Sequence, residues 1–112
     1  MTPPGVTITA RSDGDIVLVV VTGEIDLSNA DYVEREIATA ITNRTMQAAI
    51  DLSDVGYIDS VGMRVLYALA GRLETAQIKF KLVAPAGSPA RRVIELSGLS
   101  SMVEVEPPGP AR

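Results

Sequence analysis

Residues 51–62 read Asp51-Leu52-Ser53-Asp54-Val55-Gly56-Tyr57-Ile58-Asp59-Ser60-Val61-Gly62, and this stretch decides how the rest of the chain is organised. It opens at the end of Ala48 to Leu52, whose length and composition predict a short buried strand. It closes where Val65, Leu66, Leu69 and Leu73 recur at helical spacing. The residues between, Ser53 to Ser60, therefore read as a loop from a strand end into a helix. Gly71 inside that helix costs about 1 kcal/mol against Ala, which suggests close packing there.

Outward toward the N-terminus, Gly23 to Leu27 reads as a second loop. Ser28 is placed to cap the next helix, with Asp31 three residues on. Ala30, Val33, Ile37 and Ala40 form that helix's apolar stripe. Before the loop, Ile16 to Val21 is a run of apolar residues, as in a strand buried on both faces. Val6, Ile8 and Ala10 alternate with Thr7, Thr9 and Arg11, giving a half-buried strand. Ser12-Asp13-Gly14-Asp15 is the turn that makes these two a hairpin.

Outward toward the C-terminus, Ile78, Phe80 and Leu82 alternate with Lys79 and Lys81, a strand with one solvated face. Ser88-Pro89 starts a third helix, made apolar by Val93, Ile94 and Leu96 and ended by Gly98. Met102 to Val105 reads as a last short strand. The order β-β-α-β-α-β-α-(β) predicts an α/β fold: one domain over residues 6–105, with a mixed four- to five-stranded sheet and right-handed crossovers. Residues 1–5 and 106–112 are rich in Pro and Gly and read as disordered tails. In such sheets function gathers where strands lead into helices. Here those places are Gly23 to Ser28 and Ser53 to Gly62.

Composition narrows the chemistry. The chain has 112 residues, enough for one domain, and with one Phe, three Tyr and no Trp its core must be aliphatic. It has no Cys, hence no disulfide, thiolate metal site or cysteine nucleophile, and no His, hence no Ser-His-Asp triad. Lys79 and Lys81 are the only lysines and lie far along the chain from the serine-bearing loop. The net charge of −4 argues against nonspecific nucleic-acid binding. No run approaches the roughly 18 apolar residues of a membrane span. The first five residues lack a secretory signal's basic and apolar regions, so a cytoplasmic location is expected. No cofactor or metal is expected. Neither a phosphate-binding Gly-Lys-Ser/Thr loop nor a nucleophile elbow is present.

Two clusters remain. Ser60 stands before a helix, where a serine is ordinarily a cap, and position alone favours that reading. A phosphate on Ser60 would sit at the positive end of the helix dipole, which a fold tolerates. Gly23-Glu24-Ile25-Asp26 reads equally as a solvated acidic turn or as a carboxylate sharing Ser60's surface. Paired carboxylates also serve glycosidases, but a domain this small has little room for a sugar cleft. Arg91-Arg92 reads as a solvated helix face.

Asp59-Ser60-Val61-Gly62 before an aliphatic helix, after Ile50-Asp51-Leu52-Ser53, resembles the signature of STAS domains. Gly23-Glu24-Ile25-Asp26 resembles the acidic loop of the bacterial anti-sigma-factor antagonists in that family. Leu82-Val83 and Arg91-Arg92-Val93-Ile94-Glu95-Leu96-Ser97-Gly98-Leu99 resemble their last strand and helix. The resemblance covers residues 6–105. It implies a non-enzymatic binding module whose bare form engages an anti-sigma factor, often an ATP-dependent serine kinase, and so frees a sigma factor. It implies that Ser60 is the phosphorylated residue, that Asp26 and Asp59 support it, and that a PP2C-type phosphatase resets it. The implied partner surface is Glu24, Asp26, Ser28, Asp59, Ser60, Val61, Gly62 and Met63. Val61 departs from the family, where a smaller residue is commoner. The alternative within the family is a non-phosphorylated scaffold or a subunit of a transport complex.

Overall fold

The hairpin forms where the alternation predicts it. In the computed structural model, which describes residues 5–109, β1 (Val6–Asp13) pairs antiparallel with β2 (Ile16–Ile25). Then follow α1 (Ala30–Ala40), β3 (Gln47–Ile58), α2 (Ser60–Thr75), β4 (Lys79–Val83), α3 (Pro89–Ser97), a short 3-10 turn (Leu99–Ser101) and β5 (Glu104–Glu106). The sheet has five strands in the order β1-β2-β3-β4-β5, with every pair after the hairpin parallel. Of the expected tails, residues 1–4 and 110–112 lie outside the described residues. The last strand is one residue longer than the expected domain end, because Glu106 pairs with Val83 and accepts from the Ala84 N–H.

Each parallel step moves the same way across the sheet. Right-handed crossovers therefore put all three helices on one face. Residues in register share a face, so that face is built from rows such as Val17–Ala48–Phe80 and Val19–Ile50–Leu82, all buried. Val33 and Ile37 of α1, Leu66 and Leu69 of α2 and Ile94 of α3 complete an aliphatic core. Each such side chain contributes about 1.5–3 kcal/mol of burial. The opposite rows, such as Leu18–Ala49–Lys81–Glu104, stay half-buried or exposed. Lys81 there meets Glu106 at 3.2 Å and Glu104 at 3.6 Å. Its hydrogen bond to Glu106 holds its ammonium above the ordinary lysine range.

Several expectations are corrected. Gly23 to Leu27 is not all loop: β2 continues through Gly23 to Ile25. Nor is Ser53 to Ser60 a loop: β3 runs on to Ile58 beside β2, with register shifts between Val20 and Thr22 and between Gly23 and Glu24. Such irregularities break the alternation that marks a strand, so Asp54 and Gly56 read as loop residues. Gly71 is exposed, and a Cβ there would meet nothing within 4 Å, so close packing does not explain it. Of the Arg91-Arg92 pair, Arg92 is exposed as expected, but Arg91 is half-buried. Its guanidinium donates to the Ala84 carbonyl at 2.7 Å and pairs with Glu95 at 3.2 Å. Leu96 lies on the outer side of α3 and is 81% exposed. The α3 caps are as expected: the Ser88 hydroxyl accepts from the Arg91 N–H, and Gly98 adopts φ 83°.

Candidate functional site

The extensions of β2 and β3 build the site. They carry the two strands side by side until Ile25 faces Ile58, so the segments leaving them emerge together. The Asp59 N–H donates to the Ile25 carbonyl at 3.1 Å. The Asp59 carboxylate then does two things. One oxygen accepts from the Gly62 N–H at 2.8 Å, capping α2, and the other accepts from the Leu27 N–H at 3.0 Å. One side chain thus fixes both the start of α2 and the β2–α1 loop.

Asp59, not Ser60, is therefore the cap, and Ser60 is the first helical residue. An aspartate caps as well as a serine and adds a charge favourable to the helix dipole. With the cap supplied by its neighbour, the Ser60 side chain stands exposed at the strand-end surface. Ser28 is not a cap either. Its N–H and hydroxyl both donate to Asp26 Oδ1, at 2.9 and 2.6 Å. Helix α1 begins after Asn29, which makes no side-chain cap. Asn29 instead accepts from the Asp26 N–H at 3.0 Å and donates to the Glu24 carbonyl at 2.9 Å. It is 2% exposed, and its amide holds the loop in shape from within.

Glu24, Asp26, Ser28, Asp59, Ser60 and Val61 thus lie on the two linked segments, all exposed or half-buried. Gly62 and Met63 do not present a surface. Met63 is 7% exposed and turned into the core. Gly62 is buried where a Cβ would lie 2.9 Å from Ile25 Cγ2, from the Ile25 carbonyl oxygen and from Ile58 Cγ2. Its role is to let α2 approach the strand ends. Sequence reasoning missed Leu27 and Tyr57, which are 75% and 52% exposed beside these residues. An apolar residue stranded in the Asp26-Leu27-Ser28 loop was the available signal. For Asn29 there was none. Among the described residues no cluster of three metal-ligating side chains occurs. Both oxygens of Asp59 are already engaged by backbone N–H groups.

Replacing Asp59 by Ala removes the cap and the loop tie together. The expected loss is about 1–2 kcal/mol in urea unfolding, with faster amide exchange at Leu27 and Gly62. Asp59→Asn should recover only the cap, because asparagine caps equally well but its one amide oxygen cannot also accept from the Leu27 N–H.

A serine exposed at the first turn of a helix, beside a capping aspartate and a second acidic loop on an aliphatic α/β sheet, is the arrangement of a STAS domain. The chain belongs to this family: the STAS domain model matches residues 7–108. It is 34% identical to the anti-sigma-F factor antagonist RsfB of Mycobacterium tuberculosis over 97 residues, 87% of this chain and 78% of that protein. The crystal structure of an anti-sigma factor antagonist from Mycobacterium paratuberculosis superposes with a TM-score of 0.83 at 30% identity, covering 96% of this chain and 92% of that one. The anti-sigma factor antagonist SpoIIAA shares the fold at 20% identity. Its unphosphorylated form gives a TM-score of 0.71 over 88% of this chain and 87% of that one. Its phosphorylated form, from Bacillus, gives 0.67 over 88% and 90%.

Proposed function

We propose that this domain is an anti-sigma-factor antagonist switched by phosphorylation of Ser60. The bare form binds an anti-sigma factor and so releases a sigma factor. The anti-sigma factor is an ATP-dependent serine kinase. It transfers the γ-phosphoryl group of ATP to Ser60 Oγ, yielding ADP and a proton, and the modified domain lets go. A PP2C-type phosphatase hydrolyses the ester with water and returns the bare serine. The observation that carries this reading is the position of Ser60. It is exposed, on the first turn of α2, and relieved of capping duty by Asp59. A side chain so placed can take a phosphate without unfolding the helix it begins.

The partner surface is centred on Ser60, Asp59, Asp26, Ser28, Glu24 and Val61. Leu27 and Tyr57 supply exposed apolar area of the kind that anchors interfaces. Similarity to RsfB and to the mycobacterial antagonist structure supports the role. Affinity capture from the source cells tests it. Wild type and Ser60→Ala should both retain an anti-sigma factor, and Ser60→Asp should retain much less. Equal capture by Ser60→Asp would contradict the switch.

A further inference from the structure

Arg64 lies four residues after Ser60 on α2 and is exposed. Among the described residues it takes part in none of the ion pairs: Arg72 reaches Glu34, Lys81 reaches Glu104 and Glu106, and Arg91 reaches Glu95. Residues four apart on a helix share a face, with Cβ atoms about 5–6 Å apart. The Cα–Cβ bonds of a helix tilt toward its N-terminus, so a long side chain at the later position leans back over the earlier one. An acidic group placed N-terminal to a basic one at this spacing is the more favourable order. Bare Ser60 offers Arg64 no charge. A phosphate there offers nearly two.

We infer that Arg64 is the internal receiver of the Ser60 phosphate. On modification its guanidinium folds back and forms charge-assisted hydrogen bonds to the phosphate oxygens. The carboxylates of Asp59, at the cap, and Asp26, on the β2–α1 loop, oppose the second ionisation of the phosphate. Arg64 is the cation one turn away that favours it. Two changes then happen together at the docking surface: an anion appears, and an exposed cation is withdrawn from any acidic group of the partner. This rests on Ser60 being the modified residue.

The test uses the full chain with phosphoserine installed at position 60 during translation, followed by phosphorus NMR across pH. The second ionisation should occur about 0.3 of a pH unit lower in the wild-type background than with Arg64→Gln, the size expected of a helical i,i+4 pair. The difference should shrink in 1 M salt, where the screening length falls to about 3 Å. Arg64→Lys should keep part of it. Arg72→Gln, about two turns further along, should not move the titration. Identical titrations of wild type and Arg64→Gln, or an equal change with Arg72→Gln, would overturn the assignment. The failure is separable from that of the switch itself. If cells never modify Ser60, native protein carries no phosphate whatever the titration shows.

Discussion

Phosphate on Ser60 is expected to weaken binding of the anti-sigma factor by at least about 100-fold, or about 2.7 kcal/mol. Ser60→Ala should stay within about threefold of wild type, since a methyl side chain keeps the docking surface neutral and close-fitting. The asymmetry follows from where Ser60 sits. It is exposed, so a partner docking on this surface would cover it. A partner carboxylate at 4 Å would repel each phosphate charge by about 4 kcal/mol at an effective dielectric of 20, and less with screening. Passing from mostly bound to mostly free takes about 5.5 kcal/mol, so repulsion together with lost contact at Val61 is of the right size. Ser60→Asp carries one charge on a shorter stem and should give a smaller loss than the phosphate. Calorimetric titration of the three forms with the captured partner measures the series. Equal affinities for bare and phosphorylated protein would remove the switch and leave only a binding module.

The largest effect on stability should come from Gly62→Ala. In a helix interior the change alone would gain about 1 kcal/mol. Here the added methyl would lie 2.9 Å from three atoms, and one of them, the Ile25 carbonyl oxygen, is backbone that already accepts from the Asp59 N–H. That atom cannot rotate aside. Helix α2 would have to lift from the strand ends, stretching the Gly62–Asp59 cap. A net loss of about 1–3 kcal/mol in urea unfolding is expected, typical of overpacking. Gly71→Ala is the matched control. It sits in the same helix with open space around it, and should stabilise by about 0.5–1 kcal/mol. A stabilised Gly62→Ala protein would mean that α2 does not dock as described.

The two glycines show which kinds of information the sequence carries. Their helix was legible from the stripe at Val65, Leu66, Leu69 and Leu73, all buried. Which glycine is packed was not, because that depends largely on Ile25 of β2, far away in the chain. The same limit hid the length of β2 and β3. An unbroken apolar run marked Ile16 to Val21 as a strand buried on both faces, but only Val17, Val19 and Val21 are buried, and beyond the run the pattern fails at the register shifts, where pairing alone keeps Gly23 beside Val55 and Ile25 beside Ile58. At the site, Ser60, Asp59 and Asp26 were legible because their residue types and order are distinctive. The division of labour among them was not. Whether Ser60 or Asp59 caps α2 is decided by one turn of chain, and the second oxygen of Asp59 is fixed by Leu27, 32 residues away. Arg91 is a similar case, since nothing local tells that its guanidinium bonds to the Ala84 carbonyl.

The position of phosphate incorporation tests the switch most directly. The domain is incubated with ATP and the serine kinase that it captures, and the modified residue is located by peptide mass spectrometry. One phosphate on the peptide holding Ser60, and none on the Ser60→Ala protein, is the result expected. Phosphate on another residue, or equal incorporation into Ser60→Ala, would contradict the account.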